Sequence, residues 1–365
     1  MRAFCLGVAL PESDILEVEE SLTELNDLGK TAGYEIAESQ IISVSRIFAP
    51  TYMSKDMAGE IGLELEANEI DVLLFNEDLS PAQSRNLEKL WDVMIVDRTE
   101  LILKIFQTHA RTQEAKIQVE IAQLKYTLPR LKRMWTHLSR IEGGFGFTKG
   151  PGETQIEIDR RMIKDRIAKL NRKLKQIRVR RHVRRQKRLH SGLPLVSLVG
   201  YTNAGKTSLL NVLAQEELKV EDKLFATLSP VVRKVFLKKG YFALVADTVG
   251  FIKKLPTHLV ASFQSTLQEV EFSDLLVVVQ DASHHNRAGQ MEAVKSILGE
   301  IEVLDKPQIL VFSKSDLLSE EEKAEIRKYY PQSILVSTRT GEGIERLKEK
   351  VIEVSQRIRK FHPAF

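Results

Sequence analysis

The 365-residue chain carries one cysteine, Cys5, so an intrachain disulfide is excluded and a Cys-based zinc site lacks its thiolates. Cys5 lies in an apolar run and reads as a buried strand residue. Eight histidines leave other metal sites open. No run approaches about eighteen apolar residues, so no helix should span a membrane. The start, MRAFCLGVALPESD, meets acidic residues almost at once and lacks a signal peptide's cleavage region. The protein is read as cytoplasmic, with peripheral membrane association left open. Hydrophobic and charged contents of 43% and 28% are those of a folded globular chain. Its length points to two or three domains.

Acidic residues are scarce in the middle third. Residues 1–100 carry a net charge of −14, residues 101–190 carry +17 and residues 191–365 carry +1. Such a cationic block normally faces a polyanion, with a membrane surface or an acidic protein as competing partners.

Residues 1–108 alternate β-rich runs (RAFCLGVAL, YEIAESQIISVSR, IDVLLFN, DVMIVDR) with amphipathic segments at 12–29, 55–67 and 80–90. That pattern predicts a small α/β layer with a mostly parallel sheet. It holds no glycine-rich phosphate loop, and a docking platform is the simplest role.

From Arg111 the period changes. Ile117, Ile121, Leu124, Leu128, Leu131, Trp135 and Leu138 follow heptad steps, with Pro129 expected to kink or break the helix. A second seam runs through Ile156, Ile163, Ile167, Leu170, Leu174 and Ile177. Between them lies GGFGFTKGPG at 143–152, and Thr154 with Glu157 looks like the capping box that restarts the helix. The region 109–190 therefore predicts an antiparallel hairpin with arms of about 45 Å. Its basic run, KLNRKLKQIRVRRHVRRQKR at 169–188, favours nucleic acid, and Phe145 and Phe147 at the tip either stack on unpaired bases or pack the loop. An intermolecular coiled coil is the alternative to a monomeric hairpin.

Residues 191–365 return to α/β alternation, with strands predicted at 195–199, 231–237, 241–246, 275–279, 308–312 and 333–336. Helices are predicted at 206–215, 257–271, 288–301, 319–328 and 343–359. After the first strand stands GYTNAGKT at 200–207, a G-x-x-x-x-G-K-[ST] phosphate loop. Gly200, Tyr201, Thr202, Asn203, Ala204 and Gly205 supply the loop that wraps the phosphates. Lys206 reaches the β- and γ-phosphates, Thr207 offers a hydroxyl to Mg²⁺, and Ser208 opens the helix. Asp247-Thr248-Val249-Gly250 forms a D-x-x-G, with Asp247 placed to hold the metal's water shell and the Gly250 amide to reach the γ-phosphate. Phe225, Ala226 and Thr227, in FATLSP, are expected to close over the same phosphate, with Thr227 as a further Mg²⁺ ligand. Lys206, Thr227 and Gly250 are the groups expected to act in hydrolysis. Base choice is read from ILVFSKSD: Asp316 accepts from the guanine N1–H and 2-amino group, Lys314 covers the ring, and Ser313 stands where GTPases normally have Asn. Ser337, Thr338 and Arg339 form the loop whose backbone reads guanine O6. Phe251 replaces a water-positioning glutamine, so slow intrinsic turnover is expected. Asn203 is either a K⁺ ligand or a structural hydrogen-bonding residue of the loop.

Beyond these motifs, LSPAQSRNLEKLWDVMIVDRTELILKIF, EAKIQVEIAQLKYTLPRL, GPGETQIEIDRR, GYTNAGKTSL, FATLSP and DTVGFIKKLP make the chain resemble the HflX family of GTPases. The resemblance implies an N-terminal α/β domain, a helical hairpin and a G domain at 191–365. It also implies GTP hydrolysis stimulated by the ribosome, docking on the large ribosomal subunit and its rRNA, and splitting of stalled or idle ribosomes under stress. The 143–152 tip would approach the peptidyl transferase region. Ser313, and Tyr52 to Asp56, which lacks the glycine-and-lysine character common in the family, depart from the pattern. A non-hydrolysing RNA-binding or assembly scaffold with a weakened nucleotide site is the competing reading.

Overall fold

A computed structural model of the chain describes residues 1–131, 155–189, 192–215, 224–225, 231–253 and 269–361. It divides into two compact units, Met1–Thr108 with Lys116–Leu174, and His109–Ala115 with Lys175–Phe365.

In the first unit, β1 (Arg2–Ala9), β2 (Glu35–Ser43), β3 (Val72–Phe75) and β4 (Met94–Asp97) form a parallel sheet ordered β2-β1-β3-β4. The two central strands are buried almost throughout, as apolar runs covered on both faces must be. Helices α1 (Ile15–Thr31), α2 (Lys55–Ala67) and α3 (Pro81–Trp91) fill the connections, and α4 (Arg98–His109) follows β4. Ser80 starts α3 with a capping box to Gln83, and Pro81 occupies a first-turn position that needs no amide proton. Phe4, Leu6, Ile61, Leu73, Phe75 and Ile95 centre its core.

The basic region follows the heptad reading in part. Helix α5 (Gln113–Thr127) ends in a 3₁₀ turn, Leu128–Arg130, where Pro129 interrupts the hydrogen-bond ladder. Helix α6 (Gln155–Leu189) is continuous over 35 residues. Arg166 Nε donates to Glu120 Oε1 at 2.7 Å, which sets α6 alongside α5. Ile117, Ile121, Leu131, Leu170 and Leu174 of the two seams are buried. Trp135, Leu138, the 143–152 tip and the Thr154 cap lie outside the described residues.

In the second unit, β5 (Leu195–Gly200), β6 (Val231–Lys238), β7 (Tyr241–Asp247), β8 (Leu275–Asp281), β9 (Gln308–Ser313) and β10 (Ile334–Leu335) are ordered β10-β9-β8-β5-β7-β6. All pairs are parallel except β6 with β7. Helices α7 (Lys206–Ala214), α8 (Arg287–Glu300), α9 (Glu320–Tyr329) and α10 (Ile344–Phe361) complete it. The strand expected at 333–336 shortens to two residues, and the helix expected at 257–271 lies outside the described residues except for 269–271. Among the described residues, no helix is long and apolar enough to cross a membrane.

Candidate nucleotide-binding site

The carboxyl ends of β5, β7 and β9 converge, as ligand sites of open α/β sheets do. Strand β5 emerges from the core and its last residue touches β8 so closely that a Cβ on Gly200 would stand 2.1 Å from Val279 O. Asn203 and Gly205 then take left-handed conformations, φ 59° and 82°, and release the chain into α7. Lys206 starts that helix. It is 6% exposed, and its Nζ donates to Gly200 O at 3.0 Å and Tyr201 O at 2.6 Å. Burial pushes its pKa down to about 8, with Asp247 opposing. The ammonium thus sits in a nest of loop carbonyls, at the positive end of a helix.

In the next residue, Thr207 Oγ1 donates to Asp247 Oδ2 at 2.7 Å. This hydroxyl and carboxylate are the hard oxygen donors a Mg²⁺ ion takes when phosphates and water supply its remaining ligands. Among the described residues no group of three or more His, Cys, Asp or Glu side chains is suited to a metal; a hydroxyl and one carboxylate would need phosphate and water oxygens to complete a Mg²⁺ shell. Thr227 and Ala226 lie outside the described residues.

The D-x-x-G segment is stitched to the phosphate loop. Thr202 N donates to Phe251 O at 2.7 Å, Phe251 N donates to Gly200 O at 3.1 Å, and Thr248 Oγ1 donates to Leu198 O at 2.6 Å. Gly250 is where the two loops meet: a Cβ there would stand 2.7 Å from Thr202 Cα and 3.1 Å from Lys206 Nζ. Any side chain at 250 would therefore displace the phosphate loop. Val249 is buried beside it. The Phe251 ring is only 2% exposed, so it packs inward and leaves its backbone to do the stitching.

The residues expected from the sequence to read guanine come from two loops joined to each other. Ser313 Oγ lies 2.8 Å from Ala204 O and 3.1 Å from Gln280 O. The serine therefore binds the end of β9 to the phosphate loop despite being shorter than Asn. Lys314, at φ 57°, pairs with Asp281 at 2.7 Å. Asp316 presents an exposed carboxylate whose Oδ1 accepts from Ser337 Oγ at 2.7 Å. Ser337 Oγ in turn accepts from the Arg339 and Thr340 amides at 3.2 and 3.1 Å, which orders the loop beside Thr338. Ser208 is half-buried in the first turn of α7 and Asn203 is exposed on the loop.

Two contacts escaped the motif reading. Tyr201 Oη accepts from Lys253 N at 2.7 Å, and His109 Nδ1 lies 2.8 Å from the Phe225 carbonyl, to which it must donate. Phe225 is buried with φ 57°, a strained conformation for an aromatic residue that its surroundings must hold. No local pattern announces partners so far apart in sequence.

Family models match the chain over residues 19–107 ("GTP-binding GTPase N-terminal"), 109–188 ("GTP-binding GTPase Middle Region") and 195–314 ("50S ribosome-binding GTPase"). GTPase HflX of Magnetococcus marinus is 43% identical over 346 residues, covering 95% of this chain and 80% of the relative. That of Escherichia coli is 42% identical, covering 92% and 79%. The chain belongs to the HflX family of GTPases. Among solved structures, this HflX GTPase is similar to a GTP-binding protein from Sulfolobus solfataricus in complex with GDP, at 26% identity and TM-score 0.50, covering 98% of this chain and 100% of that one. The SsGBP–GDP complex gives 25% identity and TM-score 0.53. As an HflX GTPase the protein binds and hydrolyses GTP.

Proposed function

We propose that this HflX GTPase is a ribosome-binding factor whose grip on the large subunit is set by its nucleotide. The net charge of +17 on residues 101–190 carries this reading, because a polyphosphate is the natural counter-charge to so one-sided a segment. The "50S ribosome-binding GTPase" description of the matched family supports the same partner. Docking on rRNA by the hairpin, with splitting of stalled or idle ribosomes under stress, is the cycle we assign to it. We place it in the cytoplasm as a monomer of three parts, 1–108, 109–190 and 191–365.

The second unit's geometry supports the chemistry. The phosphate-loop amides and Lys206 hold the terminal phosphates, and Gly250 lies against both Thr202 and Lys206. Gain or loss of a γ-phosphate at Lys206 must therefore move the D-x-x-G segment. Thr207, Asp247 and Thr227 would hold Mg²⁺, which neutralises charge on the phosphate oxygens. Asp316 and Lys314 select guanine, Ser337, Thr338 and Arg339 flank its O6, and Asn203 is the residue we assign to a K⁺ ion. With the Phe251 ring buried, no side chain at that position orients water, so turnover is slow until the large subunit completes the site.

The test is GTP turnover by the full chain with and without purified large subunits, together with subunit affinity in GTP-analogue and GDP states. We expect stimulation of at least about tenfold and tighter binding in the GTP-analogue state. Unchanged turnover with equal affinity in both states would overturn the reading.

A further inference from the structure

The β6–β7 ribbon at the open edge of the second unit's sheet has a solvent face unlike the rest of that sheet. Burial alternates along β6 as far as Leu237: Val235 and Leu237 point into the core, while Lys234 and Phe236 point out; the register then shifts, and the exposed Lys238 pairs with Tyr241 at the turn. Phe236 is 52% exposed and Phe242 37%. Phe236 pairs with Phe242 across the strands, rings edge to face at 5.5 Å, and Lys234 Nζ lies 4.4 Å from the Phe242 ring centre. The turn, Lys239-Gly240, carries a further exposed lysine, and Gly240 takes the positive φ of 83° that the turn needs.

Residues 231–246 hold Arg233, Lys234, Lys238 and Lys239 with no acidic residue. Lysines on an edge strand deter strand pairing, and an aromatic cross-strand pair stabilises a hairpin. Neither explains why Phe236 stays half exposed and Phe242 over a third exposed among these lysines. Exposed aromatic faces flanked by cations form the platform on which unpaired bases stack while lysines meet the phosphates.

We propose that the outer face of β6–β7 is a second RNA-docking surface, separate from the basic hairpin and specific for single-stranded RNA whose bases are splayed out. Phe236 and Phe242 stack the bases, and Lys234, Lys238 and Lys239 hold the backbone. The surface rests on the ribosome-binding reading and adds to it a contact made by the GTPase unit itself.

The probe is a short fluorescent single-stranded RNA oligonucleotide, titrated with the full chain and with Phe236→Ala, Phe236→Trp and the pair Lys238→Glu with Lys239→Glu. We expect Phe236→Ala to weaken binding about tenfold and Phe236→Trp to preserve it. The lysine pair should weaken it and flatten the salt dependence by a slope of roughly one to two. The lysines are exposed, so that variant keeps its fold even if Phe236→Ala does not. Equal binding by wild type and the lysine pair overturns the surface. Unchanged oligonucleotide binding with weakened large-subunit binding assigns it to a protein and overturns it as well. Wild type that binds large subunits while none of these variants differs from it leaves the ribosome reading standing and removes only this inference.

Discussion

Lys206 is a buried cation whose hydrogen bonds run to two neutral carbonyls, with Asp247 as the charge that favours it. Its pKa is lowered from 10.5 to about 8, so below pH 8 the free fold carries the energetic penalty of a desolvated charge. That penalty fades as pH rises from 8 towards 10.5. Nucleotide phosphates reverse it, since oxyanions beside Nζ raise the pKa again, and binding above pH 8 must take up a proton. Nucleotide affinity should therefore be flat below about pH 7.5 and fall by up to about tenfold per unit above pH 8. Calorimetry in buffers of different ionisation heat, between about pH 7 and 9, measures the proton uptake, and Lys206→Met should abolish it. No proton uptake in the wild type would mean that the lysine is not the phosphate ligand.

At the scale of elements, Arg130 pins the 3₁₀ turn after α5 to the end of β4. Its Nη2 donates to Leu79 O at 2.6 Å and to Asp97 Oδ2 at 3.1 Å, and the guanidinium lies 3.7 Å from the Tyr126 ring centre. Asp97 is 0% exposed, and burial pushes its pKa up from 3.8 to about 6 while amide hydrogen bonding and Arg130 pull it down. Between pH 4 and 6 the folded state therefore keeps a proton that the unfolded chain has lost. This contribution favours the fold in acid and is lost as pH rises through 6. Arg130→Met strands the carboxylate at neutral pH and should destabilise the first unit by about 3 kcal/mol at pH 8. At pH 5, where Asp97 is largely protonated, the loss should be much smaller. Denaturant midpoints at the two pH values test this, and equal losses would remove the electrostatic account. Pro129 and the heptad steps made the break after α5 legible in the sequence. The Arg130–Asp97 pair was not, because it joins positions 33 residues apart across two elements.

At the scale of the whole molecule, charge separates along the chain, −14 in residues 1–100 against +17 in residues 101–190. The end of α6 concentrates the positive charge. Replacing Arg184, Arg185 and Arg188 by Glu should weaken large-subunit association and flatten its salt slope by roughly two to three, while basal GTP turnover stays within about twofold. An unchanged salt slope would mean that these residues meet no phosphate. Loss of basal turnover would show that α6 supports the second unit, to which its residues from Lys175 onward belong.

Local pattern determined the alternation of strands and helices, the phosphate-loop motif, the D-x-x-G and the segment expected to read guanine. Each is a matter of spacing within about ten residues, where backbone geometry fixes the period. Only the tertiary structure decided what the unusual residues do. Ser313 reaches the Ala204 carbonyl across 109 positions, Phe251 turns its ring into the core, and His109 meets Phe225 across 116 positions. Such contacts depend on how strands order themselves in a sheet and how tightly loops then pack, which no short run of residues encodes.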